Sequence, residues 1–153
     1  MRHPRPRLAA SATLAGAVAA LLAGAAPAAE LVPYEVVEDA IPRPLTDRPG
    51  DPQRGRALVL NRAKGNCVTC HELPLPADFQ GNLGPPLAGV AGRYSPGELR
   101  LRLVDSKRIN PESNMPAYYK VEGLHAVRRD WAGKPILEAQ EIEDVLAFLL
   151  TLK

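Results

Sequence analysis

The sequence reads as a small all-α domain with long loops. Apolar residues recur at helical spacing in three segments, and Gly/Pro-rich stretches separate those segments. No succession of alternating strand patterns and no internal repeat occurs, which argues against a sheet or a solenoid. The 153 residues leave room for a single domain, divided here into residues 1–28, 29–50 and 51–153.

The first segment carries Arg2, Arg5 and Arg7 ahead of an uncharged Ala/Leu run from Leu8 to Ala25, followed by Ala26-Pro27-Ala28. A basic start, an apolar stretch and small residues at the end form a secretory signal with expected cleavage after Ala28. A membrane-anchoring helix fits less well, because the run is Ala-rich and near the lower length limit for spanning. Three of the 19 basic residues lie in this leader, so the cleaved chain carries 16 bases against 17 acids. That balance gives no support to a nucleic-acid partner. No other stretch is long and apolar enough to cross a bilayer, so the expected location is the periplasm, as an exported soluble protein.

From residue 29 to 50 the prolines Pro33, Pro42, Pro44 and Pro49 remove backbone donors and fix φ. The segment is expected to be an extended strap, serving either to cover the core or to contact a partner.

The domain proper begins at Asp51-Pro52, a helix cap followed by a first-turn proline. Ala57, Leu58 and Leu60 carry the predicted helix to Gly65. Gly55 costs stability inside a helix and therefore marks a close packing contact, with Phe148 the expected partner. A second start appears at Ser95-Pro96-Gly97-Glu98, a capping box leading into Leu99, Leu103 and Val104 and ending before Asn110-Pro111. A third runs from about Ala139, with Ile142, Val145, Leu146 and Leu149 on one face. Arg100, Arg102, Lys107 and Arg108 read as a solvated helix face.

Between the first two helices lies Cys67-Val68-Thr69-Cys70-His71, which contains both cysteines of the chain. Zinc would need about four ligands, and one tight loop does not supply them. A thioredoxin-like pair belongs at the start of a helix after a central strand, whereas here a helix precedes it. A plain disulfide leaves His71 without a role. Covalent haem attachment uses every residue of the motif: Cys67 and Cys70 add to two vinyl groups, and His71 presents an imidazole to the iron. After loss of the leader, Met115 in Ser113-Asn114-Met115-Pro116 is the one methionine left, and it lies in a polar loop where a core-filling methionine is out of place. Its soft thioether suits haem iron as the sixth ligand; His125, the other mature histidine, reads as a surface residue. In the loop Gly84 to Arg93, the Pro85 carbonyl is the expected acceptor for the outer N–H of His71. Arg93 either meets a haem propionate or is solvated. Tyr118, Tyr119 and Trp131 could line a haem crevice or a partner surface.

Gly55, Cys67–His71, Gly84-Pro85 through Gly92-Arg93, Met115-Pro116 and the last amphipathic helix stand in an order that resembles the class I c-type cytochromes over residues 51–153. The resemblance implies their fold, in which the first and last helices cross at a Gly/aromatic contact beside one covalent haem c, and implies the roles of His71, Met115 and Pro85 given above. "KGNCVTCH", "DFQGNLGPPL", "NPESNMPAYY" and "GKPILEAQEIEDVLAFLLTLK" are more narrowly similar to the X subunits of Sox A–X sulfur-oxidation cytochrome complexes. That similarity implies a heterodimer with the A-subunit cytochrome. The complex couples thiosulfate to a carrier-protein cysteine (L-cysteine S-thiosulfotransferase), and the X subunit passes electrons to a downstream acceptor cytochrome. No autonomous active site is expected on this chain. Glu138 departs from the family pattern, which has a Thr-like cap there; a weaker start to the last helix is expected. The rival reading is a freestanding electron shuttle unrelated to sulfur.

Overall fold

A computed structural model describes residues 31–153. The leader, residues 1–28, lies outside the described residues. Among the described residues four α-helices form: α1 Pro52–Leu60, α2 Val90–Arg93, α3 Pro96–Asp105 and α4 Ala139–Leu149. Short 3-10 turns lie at Cys67–Thr69, Ser106–Arg108 and Arg129–Trp131. Among the described residues no β-strand occurs, and the one sheet-like feature is an isolated bridge between Val37 and Ala40. No described helix is long and apolar enough to cross a membrane.

The helix starts follow their caps. Asp51 accepts from Gln53 N (2.8 Å) and Arg54 N (3.2 Å), with Pro52 in the first turn. At α3 the reciprocal box is complete: Ser95 Oγ takes the Glu98 N–H, and Glu98 Oε2 takes the Ser95 N–H. At α4, Glu141 Oε2 accepts from Glu138 N (2.9 Å) and pairs with Lys64 Nζ (2.9 Å). Glu141 therefore anchors this helix start to the loop after α1, although Glu138 stands where the family pattern has a Thr-like cap.

The first helix is shorter than its spacing predicts. It ends at Leu60 because Asn61 turns extended (ψ 111°), and Asn61 Oδ1 and O then collect the N–H groups of Ala63, Lys64 and Asn66. An asparagine that can satisfy a turn locally competes with helix continuation. The helix α2 lies in the segment expected to be loop; Gly89, with φ 70°, supplies the left-handed residue that starts it.

Helices α1 and α4 cross in near contact. A Cβ on Gly55 would lie 2.0 Å from the Asp144 carbonyl oxygen and 2.8 Å from Phe148 Cβ, so only glycine permits this approach. The expected Gly55–Phe148 contact is present. Val59, Leu101, Val104, Ile142 and Val145 are fully buried in the core that these helices share with α3.

The described part of the strap, residues 31–50, holds no helix; it doubles back in a tight turn at Val37–Ala40, with Glu38 left-handed (φ 52°), and it enters the core. Ile41 and Leu45 are buried, while Val32, Tyr34 and Val37 face outward. An ion pair between α3 and α4 holds its backbone. Arg100 donates to both carboxylate oxygens of Glu143 (2.7 and 3.0 Å) and to the Ile41 carbonyl (2.7 Å), and Glu143 accepts the Leu45 N–H (2.9 Å). Arg100 is thus no part of a solvated face; it is 4% exposed. Lys107 and Arg108 are exposed as expected.

Candidate functional site

A cavity of about 450 Å³ opens between the motif loop, the Gly/Pro loop, α3 and the loop after it. Cys67, Cys70, His71 and Met115 all line it, although Met115 is remote from the other three in sequence.

The motif takes its shape from a 3-10 turn entered through Asn66, which is left-handed at φ 48°. Cys70 N and His71 N both donate to the Cys67 carbonyl, which brings the two sulfurs and the imidazole to one wall. Alongside runs the Gly/Pro loop, joined to the motif by Gly81 N to Val68 O, Gly84 N to Cys70 O and Leu87 N to Glu72 O, each 2.8 Å. This registers Pro85 opposite His71, whose Nδ1 lies 2.7 Å from the Pro85 carbonyl oxygen. A carbonyl only accepts, so Nδ1 carries the proton and Nε2 is left with its lone pair. A Cβ on Gly84 would stand 2.4 Å from His71 Cε1, so the loop approaches the ring this closely because residue 84 is glycine.

On the other wall, the end of α3 holds the Met115 loop. Ser106 Oγ, buried, donates to the Met115 carbonyl (2.7 Å), Ser113 Oγ accepts the Met115 N–H (3.2 Å), and Lys107 Nζ donates to the Ser113 carbonyl. Tyr118 N and Tyr119 N then donate to Leu103 O and Val104 O. Tyr118 OH donates to the Gly65 carbonyl (2.8 Å), tying this wall to the loop that bears Cys67. Burial, with Cys67 and Cys70 close by, raises the Tyr118 pKa and keeps the phenol a neutral donor.

The remaining candidates separate cleanly. Arg93 lines the cavity, and its guanidinium donates to the carbonyls of Ala88 and Pro86 (2.6 Å each), clasping the Gly/Pro loop. His125 is exposed and away from the cavity. Of the three aromatics, Tyr118 lines the cavity; Tyr119 faces the strap, where its OH accepts from Val32 N (2.8 Å), and Trp131 lies elsewhere. Ser106 and Arg102 also line the cavity, so Arg102, like Arg100, is no part of the solvated face its charge suggested. Ser106 carries no motif signal. Arg102 was hidden in a charged run, although it lies one residue before Leu103 on the helix that forms the wall.

The chemistry of the donors limits what the cavity holds. Burial pushes the Cys67 thiol up to about 11 from 9.0, the opposite of the lowered value an attacking thiolate needs. Among the described residues no group of three or more His, Cys, Asp or Glu side chains could hold a lone metal ion. A mainly apolar cleft with two sulfurs, an oriented imidazole and a thioether matches a covalently held metal macrocycle.

The cytochrome c family model matches residues 52–153. The chain belongs to the cytochrome c family. It therefore carries a covalently bound haem c and works in electron transfer, and its helical architecture is the class I fold. A chain in the crystal structure of SoxXA from P. pantotrophus is 39% identical, with a TM-score of 0.73 over 78% of this chain and 94% of that one. No curated protein matches.

Proposed function

We propose that this cytochrome is the electron-transfer subunit of a periplasmic thiosulfate-oxidising complex, paired with an A-subunit cytochrome. The convergence of Cys67, Cys70, His71 and Met115 on one cavity supports the electron-transfer part, and the 39% identity to a SoxXA chain is the observation that carries the sulfur-oxidising part. Cys67 and Cys70 would hold the haem as thioethers, and His71 Nε2 and the Met115 thioether would bind its iron. When bound, the haem supplies one-electron redox chemistry. Held by His71 and Met115, the iron would be closed to a substrate, and with both thiols bonded to the haem this chain would keep no cysteine nucleophile. The bond-forming step, which joins thiosulfate to a carrier cysteine and releases two electrons, belongs to the partner. This chain relays electrons to a downstream acceptor cytochrome.

The residues here serve orientation. Pro85 accepts the His71 Nδ1 proton and so keeps Nε2 the ligating atom, and hydrogen bonding of this kind raises ligand basicity. Ser106 and Ser113 fix the backbone on both sides of the Met115 side chain. The similarity to a SoxXA chain supports the sulfur-oxidising assignment, and the secretory leader supports export to the periplasm.

Met115→Ala tests the site. The pyridine haemochrome should persist, the near-infrared sulfur-to-iron band should vanish, and the reduction potential should fall. An unchanged spectrum and potential would remove Met115 from the iron. Purification from the native host tests the assembly: a chain that elutes alone, with no second cytochrome, would favour the freestanding shuttle.

A further inference from the structure

Arg102 is half-buried on the cavity wall. Its guanidinium lies 4.0 Å above the centroid of the Tyr94 ring, and Nη1 donates to the Glu98 carbonyl (3.0 Å). Other basic groups docked against this core have carboxylates: Arg100 with Glu143, Arg54 with Asp144, Lys120 with Asp105. Arg102 has none within salt-bridge distance among the described residues. Glu98, one turn earlier, feels the Arg102 charge but spends its carboxylate on the Ser95 N–H and makes no salt bridge with Arg102. A partly desolvated cation without a directly paired carboxylate is costly, which asks for an anion in the cavity.

The haem c of this family brings two propionate carboxylates. Arg93 and Arg102 are the cavity's two Lys/Arg side chains among the described residues; His71, Tyr94, Tyr118 and Glu112 are the other titratable groups facing it besides the two cysteines. Arg93 is exposed and already bound to the Pro86 and Ala88 carbonyls. Stacking on Tyr94 instead holds the Arg102 fork in a fixed plane, with four of its five N–H donors left.

We propose that Arg102, held on Tyr94, is the principal cation for a haem carboxylate, and that Arg93 serves to clasp the Pro85 loop. This rests on the haem filling the cavity lined by Cys67, Cys70, His71 and Met115. A carboxylate paired in this way stays ionised, and the guanidinium favours the reduced iron.

The test is the reduction potential of the holoprotein from pH 5 to 9 for Arg102→Met, Arg102→Lys and Arg93→Met. At pH 9, Arg102→Met should move the reduced-to-oxidised ratio at fixed ambient potential about tenfold toward oxidised, as for one lost charge in a partly screened site. That is about 59 mV for one electron. The shift should shrink toward pH 5, because the unpartnered carboxylate takes up a proton. Arg102→Lys should restore most of the potential, and Arg93→Met should move it several-fold less. If Arg102→Met yields no holoprotein, Arg102→Gln carries the same expectation. A potential that tracks the wild type at every pH overturns the proposal, as does a larger pH-dependent shift from Arg93→Met. A wild-type near-infrared spectrum lacking the sulfur-to-iron band refutes Met115 alone; absence of any haemochrome refutes both.

Discussion

Replacing Gly84 with alanine isolates the contact that orients His71. The Gly84 backbone is outside the left-handed region, so alanine is conformationally allowed and the whole effect is steric. Its Cβ would sit 2.4 Å from His71 Cε1, 2.7 Å from Nδ1 and 2.9 Å from Nε2, against ordinary contacts that begin near 3.4 Å. The ring must retreat by about 1 Å, and a 2.7 Å bond to Pro85 stretched by that amount is no longer a hydrogen bond. Losing it costs about 1 kcal/mol and the overpacking about 1–3 kcal/mol. Together these should lower Tm by roughly 10 °C. The proposed axial imidazole is displaced at the same time, and loss of such supporting contacts typically weakens a metal site about 10- to 100-fold. Thermal melting of the holoprotein reads the first effect and the reduction potential the second, with the haemochrome confirming that the thioethers are intact. Gly92→Ala is the control from the same segment: nothing lies within 4 Å of its Cβ, so alanine should leave the potential alone and stabilise α2 by up to about 1 kcal/mol. A Gly84→Ala protein with wild-type Tm and potential would refute the steric argument.

Glu143→Met should destabilise the protein by about 3–5 kcal/mol by stranding the buried Arg100 charge, whereas Arg100→Met/Glu143→Met should lose less than the sum of the single changes in a denaturant-melt cycle. In both, the Leu45 amide should exchange faster, because its acceptor is gone. Asp144 gives the acid limb of stability. Burial works to raise its pKa, but Arg54, the Asp51 N–H and Gln140 outweigh it and hold the carboxyl below the ordinary 3.8. A depressed folded pKa contributes stability above the unfolded value that is lost as pH falls through the folded one. Tm should therefore drop more steeply below about pH 4 in the wild type than in Asp144→Asn.

The local chemistry was legible in the sequence where it depends on neighbours. Caps at Asp51 and Ser95, the face of the last helix and the role of Gly55 all follow from residues within a turn or two, or from one glycine that has no other reason to sit in a helix. The end of α1 was not legible, since Asn61 chose a turn over four more helical residues. Nor was α2, whose four residues carry no periodic signal. Arg100 was misplaced for a different reason: its partner Glu143 lies 43 residues away, so a charge that reads as solvated alone becomes a buried clamp on the strap.

By itself the sequence offered the groups proposed to meet the haem, because vinyl addition needs two cysteines at this spacing and the next residue must offer the imidazole. It also determined that a thioether was available in a polar loop. Only the tertiary structure decided that Met115 shares a cavity with His71, that Ser106 and Pro85 aim the two, and that Arg102 faces inward. The physical reason is that the motif is closed by bonds across a few residues, whereas the cavity is closed by α3, by Val145 and Leu149 of α4 and by the Met115 loop, segments far apart in the chain.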